Sequence, residues 1–373
     1  MTWDEFRGHF SVTERWAFMD HAAVAPLPKP AVAALAEYAD DLSHNGIASV
    51  SRWVHRVKEV RALGARLLNA ETDEVAFVKN TSEGIGWVAE GFPWKSGDNV
   101  VLAAEEYPSN QYPWMNQGYR GVEVRSVASR GSRIAIDDIR AAIDARTRVV
   151  TLSFIEFASG YRNDLDAIGN LCRERGVYFF VDAIQGLGVY PLDVKRTPVD
   201  FLAADSHKWL LGPEGIGLFW IRKELIDLLH PVGVGWNSVI DPTNFGQINF
   251  RLRPEAVRWE GGAPNVAGIT AMGASLELLL QFGIDRARER VEMVTDHLCA
   301  RAPQIGLEVF SSRLVGDKSG IVSLVSPGRD PAELVKRCRS AGIVVNNRLG
   351  RLRLSPHAYN TIEEIDRFID CVK

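Results

Sequence analysis

An α/β fold with a mostly parallel, seven-stranded sheet, followed by a smaller α+β unit, is what the sequence predicts. Three observations carry that expectation. Short apolar runs alternate with longer helical patterns, the order of βαβ units. Several runs are unbroken blocks of Val, Ile and Phe, as strands covered on both faces require. Beyond residues 261–265 (Gly-Gly-Ala-Pro-Asn) the texture changes to long helical patterns with few strands.

Taken in order, helical patterns at 31–42 and 52–68 precede the first strand. The seven strands are expected at 74–79, 99–103, 122–127, 149–154, 177–181, 200–204 and 216–221. Helices at 82–89, 137–143 and 164–174 fall between them. The second unit opens with a long helix at 266–282, for which Gly283 is a fitting C-cap. A helix at 285–300, a strand at 321–325, a helix at 331–341, strands at 343–346 and 351–354, and a last helix at 362–372 follow. A chain of 373 residues suits two or three domains at roughly 150 residues each. The expected division is a large α/β domain at 15–265 and a small α+β domain at 266–373. The first dozen residues are too few for a domain and are expected to pack on the small domain or across the cleft.

Composition narrows the function classes. Apolar residues are 46% and charged residues 24%, too apolar for a disordered chain. A net charge of −4 with no basic block argues against nucleic acid or an anionic membrane as partner. No apolar run reaches the roughly 20 residues that cross a bilayer, and the start shows no secretory signal. The four cysteines, Cys172, Cys299, Cys338 and Cys371, form no C-x-x-C, and the eight histidines are scattered, so no metal site is expected. A cytoplasmic protein is the plain expectation. No G-x-G-x-x-G follows a strand, and no P-loop or G-x-S-x-G occurs.

Three segments carry chemistry. In Val177-Tyr178-Phe179-Phe180-Val181-Asp182-Ala183-Ile184-Gln185 an apolar strand ends in a carboxylate, at the strand end where open α/β sheets bind ligands. Read alone, Asp182 serves equally as a helix N-cap. In Asp200-Phe201-Leu202-Ala203-Ala204-Asp205-Ser206-His207-Lys208 a second apolar strand runs into a lysine followed by Trp209-Leu210-Leu211. Apolar surroundings lower a lysine's pKa and free its amine for Schiff-base chemistry, although an isolated lysine is more often a surface residue. In Phe77-Val78-Lys79-Asn80-Thr81-Ser82-Glu83 a strand passes into a helix whose N-terminus suits an anion, with Asn80 as N-cap. Together they match the needs of pyridoxal 5′-phosphate: a lysine, an acid at the pyridine nitrogen and a phosphate cradle.

With these residues the chain resembles the class V aminotransferase superfamily of fold-type-I pyridoxal-phosphate enzymes, which includes cysteine desulfurases, selenocysteine lyases, kynureninases and isopenicillin N epimerases. The resemblance begins at Met19-Asp20-His21-Ala22-Ala23-Val24-Ala25-Pro26 and ends at Arg353-Leu354-Ser355-Pro356-His357-Ala358-Tyr359-Asn360-Thr361. It implies Lys208 as the Schiff-base lysine, Asp182 as the pyridinium partner, and Gln185 near the phenolic oxygen. It implies Thr81 and Ser82 on the phosphate, with Ser206 and His207 in reach of it, and Tyr107 stacked on the ring. Arg353 falls where the family grips the substrate carboxylate, with Arg348 and Arg351 as nearby rivals.

Three departures stand out. Phe157 occupies the place of a polar cofactor contact. Asp205 replaces a Ser, so it is expected to point away while Ser206 substitutes. Ala263 replaces a Thr that reaches a neighbouring subunit's phosphate. The resemblance implies a homodimer and an amino-acid substrate, with reaction at Cα. The expected reaction is a lyase one, β-elimination as at a C–S bond, without a persulfide cysteine, because 342–353 holds no cysteine and is too short for a long loop. An aminotransferase, an epimerase and a cysteine desulfurase are the alternatives. A non-catalytic descendant that binds a metabolite is the rival of another class.

Overall fold

The computed structural model describes residues 1–373. Helix α1 (Trp3–Arg7) and a short strand β1 (Ala17–Phe18) open the chain, and two long helices, α2 (Lys29–Asn45) and α3 (Val50–Leu68), lead into the main sheet. Its strands are β2 (Val75–Val78), β3 (Asn99–Ala103), β4 (Glu123–Val127), β5 (Thr147–Ser153), β6 (Tyr178–Asp182), β7 (Phe201–Asp205) and β8 (Gly217–Ile221). Between them lie α4 (Thr81–Gly91), α5 (Tyr112–Met115), α6 (Ile136–Ala142) and α7 (Leu165–Arg175). The spatial order is β2-β8-β7-β6-β5-β3-β4. Strands β3 to β7 pair in parallel, while β8 runs antiparallel to both of its neighbours. The expected mostly parallel sheet of seven strands is present. The reversal of β8 has no counterpart in the sequence pattern, because a run buried on both faces reads the same in either direction.

Alternation along the strands separates two cores. Phe77, Val101, Val150, Phe179, Val181 and Leu202 face one layer with α3 and α7. Ala76, Val100, Val149, Phe180, Phe201 and Ala203 face the other with α4. Successive side chains of a strand point to opposite faces, so both layers come from the same short runs.

The remaining elements are α8 (Val266–Phe282), α9 (Ile284–Arg301), β9 (Glu308–Val309), β10 (Val322–Val325), α10 (Pro331–Ser340), β11 (Ile343–Val344), β12 (Asn346–Arg348), β13 (Arg351–Leu354) and α11 (Ile362–Val372). An antiparallel sheet β12-β13-β10-β9 packs with α9, α10 and α11 around a third core. The single strand expected at 343–346 divides in two. Its first half pairs in parallel with β1, and its second pairs with β13. Residues 17–18, inside the expected large domain, therefore add a strand to the C-terminal unit. Helix α8, expected in the small domain, packs on α2 and α3 and buries Ile269, Met272 and Leu276 in the main core. The N-terminal residues bridge these parts: Phe6 stacks on Phe282 and Phe10 on Tyr359, each at 4.1 Å between ring centres. No single helix is long and apolar enough to cross a membrane.

One close approach positions the site. Helix α4 lies so near β7 that a Cβ on Gly84 would sit 2.7 Å from the Ala203 Cβ. Gly84→Ala is therefore expected to destabilise the protein by roughly 1–3 kcal/mol through overpacking. Denaturant unfolding measures this, and a change under about 0.5 kcal/mol would show that α4 yields freely.

Candidate active site

A cavity of about 400 Å³ opens beyond the C-terminal ends of β6 and β7. Asp182 is the last residue of β6, and Lys208 follows β7 by three residues. Both line the cavity, and both are buried, at 2% and 9% exposure. Burial pushes the Asp182 carboxyl up to about 6, opposed by the Ile184 N–H that it accepts at 3.1 Å and by the Lys208 charge. Burial pulls the Lys208 amine down to about 8, opposed by Asp182 and reinforced by Arg353. Near neutral pH the carboxylate is ionised, and an appreciable share of the amine carries a lone pair.

The turn after Lys208 holds this amine in place. Leu211, fully buried, has φ 60°, the left-handed region that non-glycine residues rarely adopt. Its N–H donates to the Lys208 carbonyl at 3.1 Å. Trp209 donates from Nε1 to Gln185 Oε1 at 2.8 Å, and Gln185 Nε2 donates to the Ala22 carbonyl at 3.2 Å. Gln185 thus reaches the cavity with its amide oriented by two neighbours. Tyr107 covers another wall, with Lys208 Nζ 5.5 Å from its ring centre and Phe157 packed edge-on at 5.2 Å. In place of a polar partner, Phe157 braces the aromatic wall.

At one end of the cavity lies the N-terminus of α4. Asn80 caps it, accepting the Glu83 N–H at 2.9 Å. Thr81 and Ser82 line the cavity at its first turn, where free N–H groups and the helix dipole favour an anion. Thr81 Oγ1 accepts the Asp205 N–H at 3.0 Å, and Ser82 donates to Ser109 Oγ at 2.7 Å. Ser109, which also lines the cavity, was not among the expected site residues; a hydroxyl two residues after Tyr107 was its only signal.

The structure corrects two expectations here. Ser206 does not line the cavity; it is fully buried and donates to the Pro213 carbonyl at 2.6 Å. Asp205, expected to point away, lines the cavity together with His207, whose Nδ1 lies 3.0 Å from Asp205 Oδ1. Alternation along the strand end decides it: Asp205 and His207 share one side, and Ser206 takes the other. Ala263 lies outside this cavity and lines a neighbouring one of about 240 Å³ with Lys79 and Glu83.

Behind Asp182, two more carboxyl groups are buried that the sequence pattern did not single out. Glu106 accepts the Ser153 N–H at 2.6 Å and the Ser153 hydroxyl at 2.5 Å, and burial pushes it up to about 8. Glu156 is also pushed upward, first by burial and then by Glu106. Both carboxyls are thereby biased toward the neutral form, which lessens the negative charge set against Asp182. Their signal was a carboxylate placed among apolar neighbours, as in Ile155-Glu156-Phe157.

Opposite the α4 end, Arg353 and Arg348 line the cavity. Arg353 donates to Asp20 Oδ1 at 3.0 Å and to the Phe157 carbonyl at 3.1 Å. Arg351 turns to the other side of its strand, its guanidinium 3.9 Å from the Phe310 ring centre. None of the four cysteines lines the cavity.

The cavity fits pyridoxal 5′-phosphate in donor set and size: one buried amine, one ionised buried acid, an aromatic wall and an anion-binding helix start. Comparison with known proteins agrees with that chemistry. The model of the aminotransferase class-V family matches residues 17–368. A probable cysteine desulfurase of Methanothermobacter thermautotrophicus is 32% identical over 98% of this chain and 96% of that protein. The apo structure of a cysteine desulfurase from Thermococcus onnurineus superposes with a TM-score of 0.91 at 26% identity, covering 98% of this chain and 96% of that one. A cystine C–S lyase shares the fold, with a TM-score of 0.92 at 20% identity over 97% of this chain and 98% of that one.

In ligand-free protein, trinitrobenzenesulfonate labelling of Lys208, followed by peptide mapping, is expected to rise with pH through about 8. An ordinary lysine titrates near about 10.4. Asp182→Asn should move the midpoint lower still, because the Asp182 charge favours the ammonium form. A midpoint near that of a free lysine would refute the desolvated amine.

Proposed function

From the premise that the chain belongs to the aminotransferase class-V family and is a pyridoxal-5′-phosphate-dependent enzyme, we propose that it eliminates a β-substituent from an amino acid, as at a C–S bond, without carrying sulfur on a cysteine of its own. The observation that carries this reading is a cavity holding the Lys208 amine and Asp182 carboxylate but no thiol.

Roles follow from placement. Lys208 anchors the cofactor and, by its depressed pKa, exchanges a proton at the substrate's Cα near neutral pH. Asp182 holds a proton at the pyridine nitrogen. When bound, the cofactor supplies an electron sink for charge developing at Cα. Thr81, Ser82 and the α4 N–H groups hold the phosphate, with His207 beside them. Tyr107 offers a flat face to the ring, and Gln185 an amide near its phenolic oxygen. The Arg353 end takes the substrate carboxylate. The exposed apolar stretch bearing Trp236, Phe245, Ile248 and Phe250 supports a homodimer, in which a second copy covers it.

Support for elimination without a persulfide is geometric. Where a desulfurase needs a cysteine on a mobile loop, Arg348 and Arg351 pair across a turn of only Leu349 and Gly350. Cys338 is fully buried on α10 and its thiol is pushed up to about 12; those of Cys172 and Cys299 are pushed to about 12 and about 11. None is a ready nucleophile. The second reading, a cysteine desulfurase, draws on the relative at 32% identity.

The purified protein should absorb visible light, and adding its amino-acid substrate should shift that band and release a keto acid and ammonia; Lys208→Ala should lose both responses. Replacing all four cysteines with Ser or Ala should leave turnover within about twofold, since no thiol stands at the cavity. A stoichiometric persulfide on Cys338 or Cys371 after cysteine addition, with activity lost on its replacement, would establish the desulfurase instead.

A further inference from the structure

An acid stands at the anion-binding end of the cavity. Asp205, 5% exposed, ends β7 and lines the cavity beside Thr81, whose Oγ1 accepts the Asp205 N–H at 3.0 Å. Its charge is felt across the cavity. Burial is the larger cause of the shifts at Asp182 and Lys208, and Asp205 adds to the rise of the first and opposes the fall of the second. A phosphate seated on the α4 N-terminus therefore meets a carboxylate in a place where water screens little.

Few groups there can offset that charge. Helix α4 brings only the Thr81 and Ser82 hydroxyls and the Asn80 amide. The Lys79 ammonium pairs with Glu83 at 3.1 Å and lines the neighbouring cavity instead. Arg348 and Arg353 stand at the opposite end, and Lys208 and Asp182 serve the cofactor's ring. The one remaining cation-forming group on the wall is His207, whose Nδ1 lies 3.0 Å from Asp205 Oδ1. Both atoms are buried, and neither has a hydrogen-bond partner elsewhere. A carboxylate only accepts hydrogen bonds, so Nδ1 carries a proton to face it. A phosphate dianion also only accepts, so a ring that donates to it as well carries a proton on Nε2. An imidazole with both protons is a cation.

We propose that Asp205 and His207 act as one unit, in which the carboxylate holds the His207 ring as an imidazolium that donates to the cofactor's phosphate. The inference rests on the cofactor and not on the elimination reaction proposed above. With its extra proton the pair is neutral overall; without it the pair is a net anion facing an anion. An acid that alone would repel the phosphate thus orients and charges the group that binds it. The two partners are therefore unequal when removed. Loss of His207 leaves Asp205 uncompensated against the phosphate, whereas loss of both removes the repulsion together with the donor.

Pyridoxamine 5′-phosphate carries the phosphate but no aldehyde, so it probes this end without a bond to Lys208. Titrated by calorimetry into cofactor-free protein near neutral pH, it should bind His207→Gln roughly tenfold or more weakly than wild type. Adding Asp205→Asn to that variant should restore most of the loss, to within about threefold of Asp205→Asn alone. In wild-type protein loaded with pyridoxal 5′-phosphate, the phosphorus NMR signal should hold its dianion position through the neutral range. A His207→Gln affinity within about twofold of wild type, or a double variant as weak as His207→Gln, would overturn the inference. So would a phosphorus signal at the monoanion position, because the phosphate and not His207 would then carry the proton to Asp205. The phosphorus measurement uses the wild-type chain, so it decides the matter even where a variant fails to fold. Neither readout depends on which reaction the enzyme carries out, so failure of the elimination reading leaves both intact.

Discussion

Everything at the site depends on keeping one ammonium and one carboxylate out of water beside each other. Asp182 and Lys208 sit at the ends of adjacent strands, β6 and β7, and each is costly to bury alone. Each opposes the shift that burial imposes on the other: Asp182 stays ionised at neutral pH, and Lys208 falls only to about 8. A weaker coupling would shift the acid toward its protonated form, and a stronger one would shift the amine toward its charged form. The upward shifts of Glu106 and Glu156 belong to the same balance, since ionised carboxylates near Asp182 would push its pKa further up.

The scaffold meets this requirement with close packing and local strain. Helix α4 approaches β7 closely enough to exclude a side chain at Gly84, which brings its N-terminus to the strand end that precedes Lys208. The Lys208 turn forces Leu211 into a left-handed conformation, and Trp209 ties that turn to Gln185. Anion site, aromatic wall and amine are thereby fixed before any ligand arrives, and such preorganisation reduces the cost of binding.

The C-terminal unit supplies the opposite end of the cavity, and it is held there from both ends of the chain. Strand β1 pairs with β11, Asp20 reaches Arg353 and Asn346, and His21 lies between the Ser355 carbonyl and the Tyr359 hydroxyl. The first two dozen residues therefore act as a strap across two layers. A two-residue hairpin at Leu349–Gly350 replaces any loop there, so the chemistry at this end is electrostatic and belongs to arginine.

By itself the sequence determined the alternating α/β order, all seven strands of the main sheet to within two residues at either end, and the convergence of Asp182, Lys208 and the α4 start. Those signals are local: apolar runs, caps and charged residues at strand ends follow from backbone periodicity and from the cost of burying charge. Tertiary structure alone decided the direction of β8, the division of 343–346 between two sheets, and the packing of α8 on α2 and α3. Each depends on which distant face a segment meets, and the same apolar run serves equally well for several. The same holds at the site. Ser206 turned away and Asp205 turned in because the pleat at the end of β7 sets which side each faces. Arg353 stands alone in the sequence, and only the fold brings Asp20, far away in the chain, against its guanidinium.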